Sequence, residues 1–61
     1  MPRITVQMFT GRTIDQKRAL VKGITDVVVE TCNVSPQSVA IVIDEMQDEN
    51  YARAGTLKCD Q

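Results

Sequence analysis

Sixty-one residues make one small domain, and 7 Lys and Arg against 8 Asp and Glu leave a net charge of −1 with no clustering of cations, which argues against a nucleic-acid surface. A chain this short buries only about 60% of the surface its unfolded form exposes, so a lone monomer needs disulfides, a metal or sister copies. Two cysteines, Cys32 and Cys59, are too few for a disulfide framework, and without histidine or a CxxC pair a structural zinc site lacks ligands.

No apolar run approaches the ~18 residues of a membrane span, and none has the form of a signal peptide. The expectation is a homo-oligomer in the reducing cytoplasm, with both thiols free.

Residues 3–9, RITVQMF, alternate. Ile4, Val6 and Met8 share one face, and Arg3, Thr5, Gln7 and Phe9 share the other, which is the period of a strand. Pro2 stands directly before it. A proline is tolerated at the first residue of a strand, where no ladder bond is lost. The same proline carries a free secondary amine once the initiator Met1 is removed. Gly11-Arg12 then ends the alternation. Thr13-Ile14-Asp15-Gln16 fits the capping box S/T-x-x-E/Q, and Asp15 suits the positive end of a helix dipole. The helix runs to about Thr31 or Cys32. Leu20, Ile24, Val27 and Val28, with Thr31 next in line, form one stripe expected to be buried.

Asn33 is a helix terminator, and Ser35-Pro36 forms a turn. Residues 39–45, VAIVIDE, are the second strand, with Val39, Ile41 and Ile43 on one face and Ala40, Val42 and Asp44 on the other. After Met46 the tail QDENYARAGTLKCDQ is polar and holds a short hairpin around Ala54-Gly55.

Residues 1–61 are therefore a single α/β domain, a small β-α-β unit with a C-terminal hairpin. Strand–helix–strand places the two strands parallel, joined by a right-handed crossover. Two strands are not an independently stable sheet. The helix covers one face, and the other carries Phe9, Ala40 and Val42 among polar residues. Sister subunits must complete the sheet and cover that face.

Some of these residues suit proton transfer. Moving a proton between oxygen and carbon needs a base whose pKa lies near the working pH. No histidine is present, whereas a free α-amino group ionises at about 7.7–8.0 in model peptides. A prolyl secondary amine is more basic, and apolar burial or nearby cations favour its neutral form. Pro2 is thus a candidate base as well as a strand opener. Arg3 is the adjacent cation, although its parity sets it on the other strand face. Arg12 is either a solvated loop arginine or a carboxylate clamp. A cation just before a helix N-terminus opposes the dipole, while the same place is a natural anion site that a guanidinium fork can strengthen. Met8 and Met46 read as core filler. Nothing in the sequence polarises Cys32 or Cys59.

Met-Pro at the start, FTGRTIDQK, a helix, a strand ending IDEM and a tail with YARAG together resemble the 4-oxalocrotonate tautomerase group of the tautomerase superfamily. The resemblance runs nearly end to end and includes the chain length. It implies a homohexamer, built as a trimer of β-α-β dimers, with active sites at subunit contacts. It also implies cofactor-free keto–enol isomerisation of 2-hydroxydienoic or 2-oxo acids, with Pro2 as general base. Arg12 matches the arginine that holds the substrate carboxylate from a neighbouring subunit, and Tyr51 matches an aromatic wall that is usually Phe. Ala40 departs from the pattern: the best-characterised diacid tautomerases carry there an arginine that polarises the 2-oxo end. Arg53, within YARAG, could supply that donor from the tail. Two alternatives remain. One is a haloacrylate dehalogenase or hydratase of the same superfamily, which needs a water-activating carboxylate among Asp44, Glu45, Asp48 and Glu49. The other is a non-catalytic oligomeric module that binds an acid.

Overall fold

In the computed structural model, which describes residues 1–61, β1 spans Arg3–Phe9, α1 Ile14–Cys32 and β2 Ala40–Met46. Val39, expected to open β2, instead closes a 3-10 turn over Pro36–Ser38, its N–H donating to the Pro36 carbonyl at 3.1 Å. The strand therefore begins and ends one residue later than the alternation suggests. β1 and β2 pair in parallel from Arg3 opposite Ala40 to Phe9 opposite Met46. Parallel pairing needs a long crossover, which α1 supplies.

The start of α1 is the capping box in full. The Gln16 N–H donates to Thr13 Oγ1 at 3.1 Å, and the Thr13 N–H donates to Gln16 Oε1 at 2.9 Å. Asn33 ends the helix at φ 55°, a left-handed conformation that asparagine tolerates. The half-buried helix residues are Lys17, Leu20, Val21, Ile24, Thr25, Val28 and Val29, an unbroken three–four stripe. They match half-buried Ile4, Val6 and Met8 of β1 and Ile41 and Ile43 of β2. Lys17 Nζ lies 2.7 Å from Glu45 Oε1 and ties helix to sheet.

This stripe corrects the one read from spacing alone. Val27 is 62% exposed and Thr31 is also exposed, while Val21 and Val29 take their places. With valine at 27, 28 and 29, hydrophobicity permits either phase of the helix, and contact with the sheet selects one.

The tail continues through a 3-10 turn at Asp48–Asn50, then β3 (Ala52–Arg53) and β4 (Thr56–Leu57), which pair antiparallel, and a last turn at Lys58–Asp60. Ala54 and Gly55 link the two strands at φ 53° and 80°. Positive φ at both residues is what a two-residue type I′ hairpin requires. The Lys58 N–H donates to the Tyr51 carbonyl at 2.7 Å and closes the unit.

The chain is a slab of 43 × 24 × 13 Å in which no residue is fully buried. Its radius of gyration is 14.8 Å, against about 10.5 Å for a compact domain of this length. Its accessible surface is 4776 Å², about 800 Å² more than the size scaling gives for a compact monomer. Much of the excess is apolar: Ile14 is 61% and Val42 50% exposed. An open apolar hollow of about 510 Å³ runs along α1 between Ala19, Leu20, Gly23, Ile24, Val27 and Val28.

Candidate active site

Pro2 precedes β1, where the ladder begins. Its carbonyl accepts the Ala40 N–H at 3.0 Å, so the backbone at the head of β1 is tied to the head of β2. The pyrrolidine ring is half-buried. Ala40 and Arg3 face each other across the same ladder position.

Arg12 lies at the far end of β1, in the turn between strand and helix. Gly11 turns the chain at φ 118°, a conformation that a side chain would strain. The capping box then fixes the entry into α1 immediately after Arg12. Beside it is a hollow of about 220 Å³ lined by Met8, Arg12, Gln16, Lys17 and Leu20. Met8 and Leu20 give it apolar lining, and Arg12 is its cation without a carboxylate partner, since Lys17 is paired with Glu45.

Tyr51 stands at the same far end. Its ring meets Phe9 edge-to-face, with centroids 5.2 Å apart and an interplanar angle of 85°. Arg53 Nη2 donates to the Tyr51 hydroxyl at 3.2 Å. Lys58 Nζ sits 4.9 Å over the Phe9 ring. No periodicity or motif signals the Lys58 contact, because only the closed hairpin brings the tail back over β1.

The charges divide in an informative way. Lys17, Arg18, Lys22 and Lys58 pair with Glu45, Asp15, Asp26 and Asp48. Arg3, Arg12 and Arg53 meet no carboxylate, so the three cations free to receive an external anion are all arginines. Two of them, Arg12 and Arg53, are sequence candidates. Arg3 is not; its place opposite Ala40 depends on strand register.

Within one chain these residues do not converge. Pro2 and Phe9 are seven strand steps apart, about 23 Å at ~3.3 Å per residue. Tyr51 and Arg53 gather at the Phe9 end, and Arg12 lies in the turn just beyond it. Pro2 stands alone at the other end. A site that uses both ends needs more than one copy of the chain. No group of three or more His, Cys, Asp or Glu comes together in a way that could hold a metal ion, and no helix is long and apolar enough to cross a membrane.

Comparison with known proteins gives one direction. A 2-hydroxymuconate tautomerase of Bacillus subtilis is 46% identical over 55 residues, covering 90% of this chain and 89% of that protein. A probable tautomerase of Halalkalibacterium halodurans is 41% identical over 61 residues, with both chains fully covered. The crystal structure of YwhB, a homologue of 4-oxalocrotonate tautomerase, superposes with a TM-score of 0.93 at 42% identity and 98% coverage of each chain. The family model described as tautomerase enzyme matches residues 2–61. Sequence, fold and family model coincide over nearly the whole length, and the chain belongs to the tautomerase family.

Proposed function

We propose that this protein is a cofactor-free keto–enol tautomerase of 2-hydroxydienoic or 2-oxo acids, with Pro2 as general base after removal of Met1. The observation that carries the reading is Arg12: a guanidinium without a carboxylate partner, beside a hollow at the N-terminal end of α1. An anion there gains from the guanidinium and from the helix end together. The likeness to the Bacillus subtilis 2-hydroxymuconate tautomerase supports a conjugated hydroxy acid as substrate.

The prolyl nitrogen takes the proton of the substrate's 2-hydroxyl. The oxygen's electron pair becomes the C=O bond, and the displaced π pair accepts the same proton from the prolinium at a conjugated carbon. The reverse path removes the proton from the carbon that received it. Arg12 of a neighbouring subunit holds a carboxylate, and Tyr51 walls the site against water. The assembly is a homohexamer in the cytoplasm, which covers the exposed apolar faces and unites the two ends of β1. A haloacrylate dehalogenase has less support: Asp44 accepts from Gln7 at 3.5 Å, and Glu45 and Asp48 are paired to lysines. Only Glu49 among its four candidate carboxylates is unengaged. A silent acid-binding module is separated by turnover itself.

The test is the rate on phenylenolpyruvate and 2-hydroxymuconate, with intact mass establishing whether Met1 is present. Acylation turns the prolyl amine into a non-basic amide. Chains lacking Met1 therefore turn over, and chains retaining it are nearly inert. Equal rates for the two forms rule out Pro2 as the base.

A further inference from the structure

Arg53 and Tyr51 are joined in a way that a mere aromatic wall does not require. Tyr51 directly precedes β3, and Arg53 follows two residues later, so both side chains project from the same side of the strand. The type I′ turn at Ala54-Gly55 and the Lys58–Tyr51 backbone bond hold this short segment in place. Phe9 braces the Tyr51 ring by an edge-to-face contact. The guanidinium then donates to the phenol oxygen at 3.2 Å.

That direction of donation matters. With its oxygen accepting from Arg53, the phenol's own proton is free to point elsewhere. A hydroxyl that accepts from a cation is also a stronger donor, because linked hydrogen bonds polarise one another. Arg53 has no carboxylate to satisfy it. Arginine and tyrosine thus form one polarised donor, aimed by a hairpin.

We propose that the Tyr51 hydroxyl donates a hydrogen bond to the 2-oxygen of the substrate as negative charge develops there, and that Arg53 is the positioning residue that orients and polarises it. This rests on the tautomerase reading. When the prolyl nitrogen of another subunit removes the hydroxyl proton or an α-carbon proton, charge accumulates on the 2-oxygen. The Tyr51 O–H meets that charge without giving up its proton, so the proton count of the isomerisation is unchanged. Ala40, at the head of β2, has no side-chain donor to contribute.

The test is a double-mutant cycle on assembled protein lacking Met1: Tyr51→Phe, Arg53→Ala, and both together, with Arg53→Lys as the conservative variant. A donor acting on developing charge is read in kcat. Tyr51→Phe lowers kcat about tenfold to a hundredfold with little change in KM, on the scale of losing one oxyanion donor. Arg53→Ala lowers kcat by a similar factor, Arg53→Lys restores part of it, and the double variant is no worse than Tyr51→Phe alone. The pair then works as a unit. Losses that multiply in the double variant overturn the proposal, because Arg53 then reaches the substrate by itself. Tyr51→Phe within twofold of the parent overturns it as well. So does an Arg3→Ala variant that takes over the kcat loss.

Binding of oxalate, whose second carboxylate places a negatively charged oxygen where the substrate's 2-oxygen develops its charge, gives a readout that does not need Pro2 to act as a base. Equal, non-additive weakening by Tyr51→Phe and Arg53→Ala supports the donor pair even if the proline base fails. Unchanged oxalate affinity in both variants overturns the pair even if turnover is Pro2-dependent.

Discussion

Val27 offers the sharpest test of how this slab becomes a folded protein. It lies in the open hollow along α1 and is 62% exposed in the single chain. Burying a whole valine side chain contributes roughly 1.5–3 kcal/mol, so association has about 1–2 kcal/mol still to gain at this residue in each copy. Val27→Asp removes that gain and adds the desolvation of a carboxylate, several kcal/mol even after relaxation. A two-fold contact counts the residue twice. The summed loss is about 8–10 kcal/mol per pair of chains, comparable with the ~8 kcal/mol that holds a micromolar dimer together. At micromolar concentration the variant is expected to leave the wild-type oligomer, and Val27→Ala, which loses only the burial, to remain closer to it. Light scattering reads the mass directly against a 6.8 kDa chain. Turnover is expected to fall with the mass, because Pro2 and Arg12 of one chain are too far apart to share a substrate. A Val27→Asp protein with wild-type mass and kcat would refute the reasoning, and so would a wild type that scatters as a monomer.

Three further outcomes follow from the site and the helix. Arg12→Ala is expected to raise KM for acid substrates, with about 2–4 kcal/mol lost in kcat/KM for a partly desolvated charge pair; steady-state kinetics within twofold of wild type on every acid tested would make Arg12 a plain loop arginine. Ala40→Arg, adding a donor at the head of β2, is expected to raise kcat on dicarboxylate dienols while KM moves less; a fall in oligomer mass would show that the new cation disturbs the exposed sheet face instead. Thr13→Ala removes half of the reciprocal cap and is expected to cost about 1 kcal/mol in urea unfolding; an unchanged midpoint would mean that packing, not the cap, sets where α1 begins.

The local elements were legible in the sequence because their causes are local. Alternation in RITVQMF names a strand wherever its partner lies, and Thr13 with Gln16 closes the helix cap within four residues. Asn33 and Ala54-Gly55 mark the places where the backbone turns left-handed. Pro2, Arg12, Tyr51 and Arg53 also stood out as candidates, through their residue types and the resemblance that runs along the chain.

Tertiary structure decided what depends on distance. It chose the phase of α1: Val21 and Val29 face the sheet and Val27 turns outward, a choice that three consecutive valines leave open. It set Val39 in a turn rather than in β2, because its N–H is taken by Pro36. It put Arg3 opposite Ala40 by strand register, and it joined Arg53 to the Tyr51 hydroxyl through a hairpin whose closure no periodicity encodes. It also separated Pro2 from Arg12 and Tyr51 by the length of β1. Spacing along a chain counts residues, whereas a site is made of directions and distances, and those exist only once the strands are paired and the helix is laid across them.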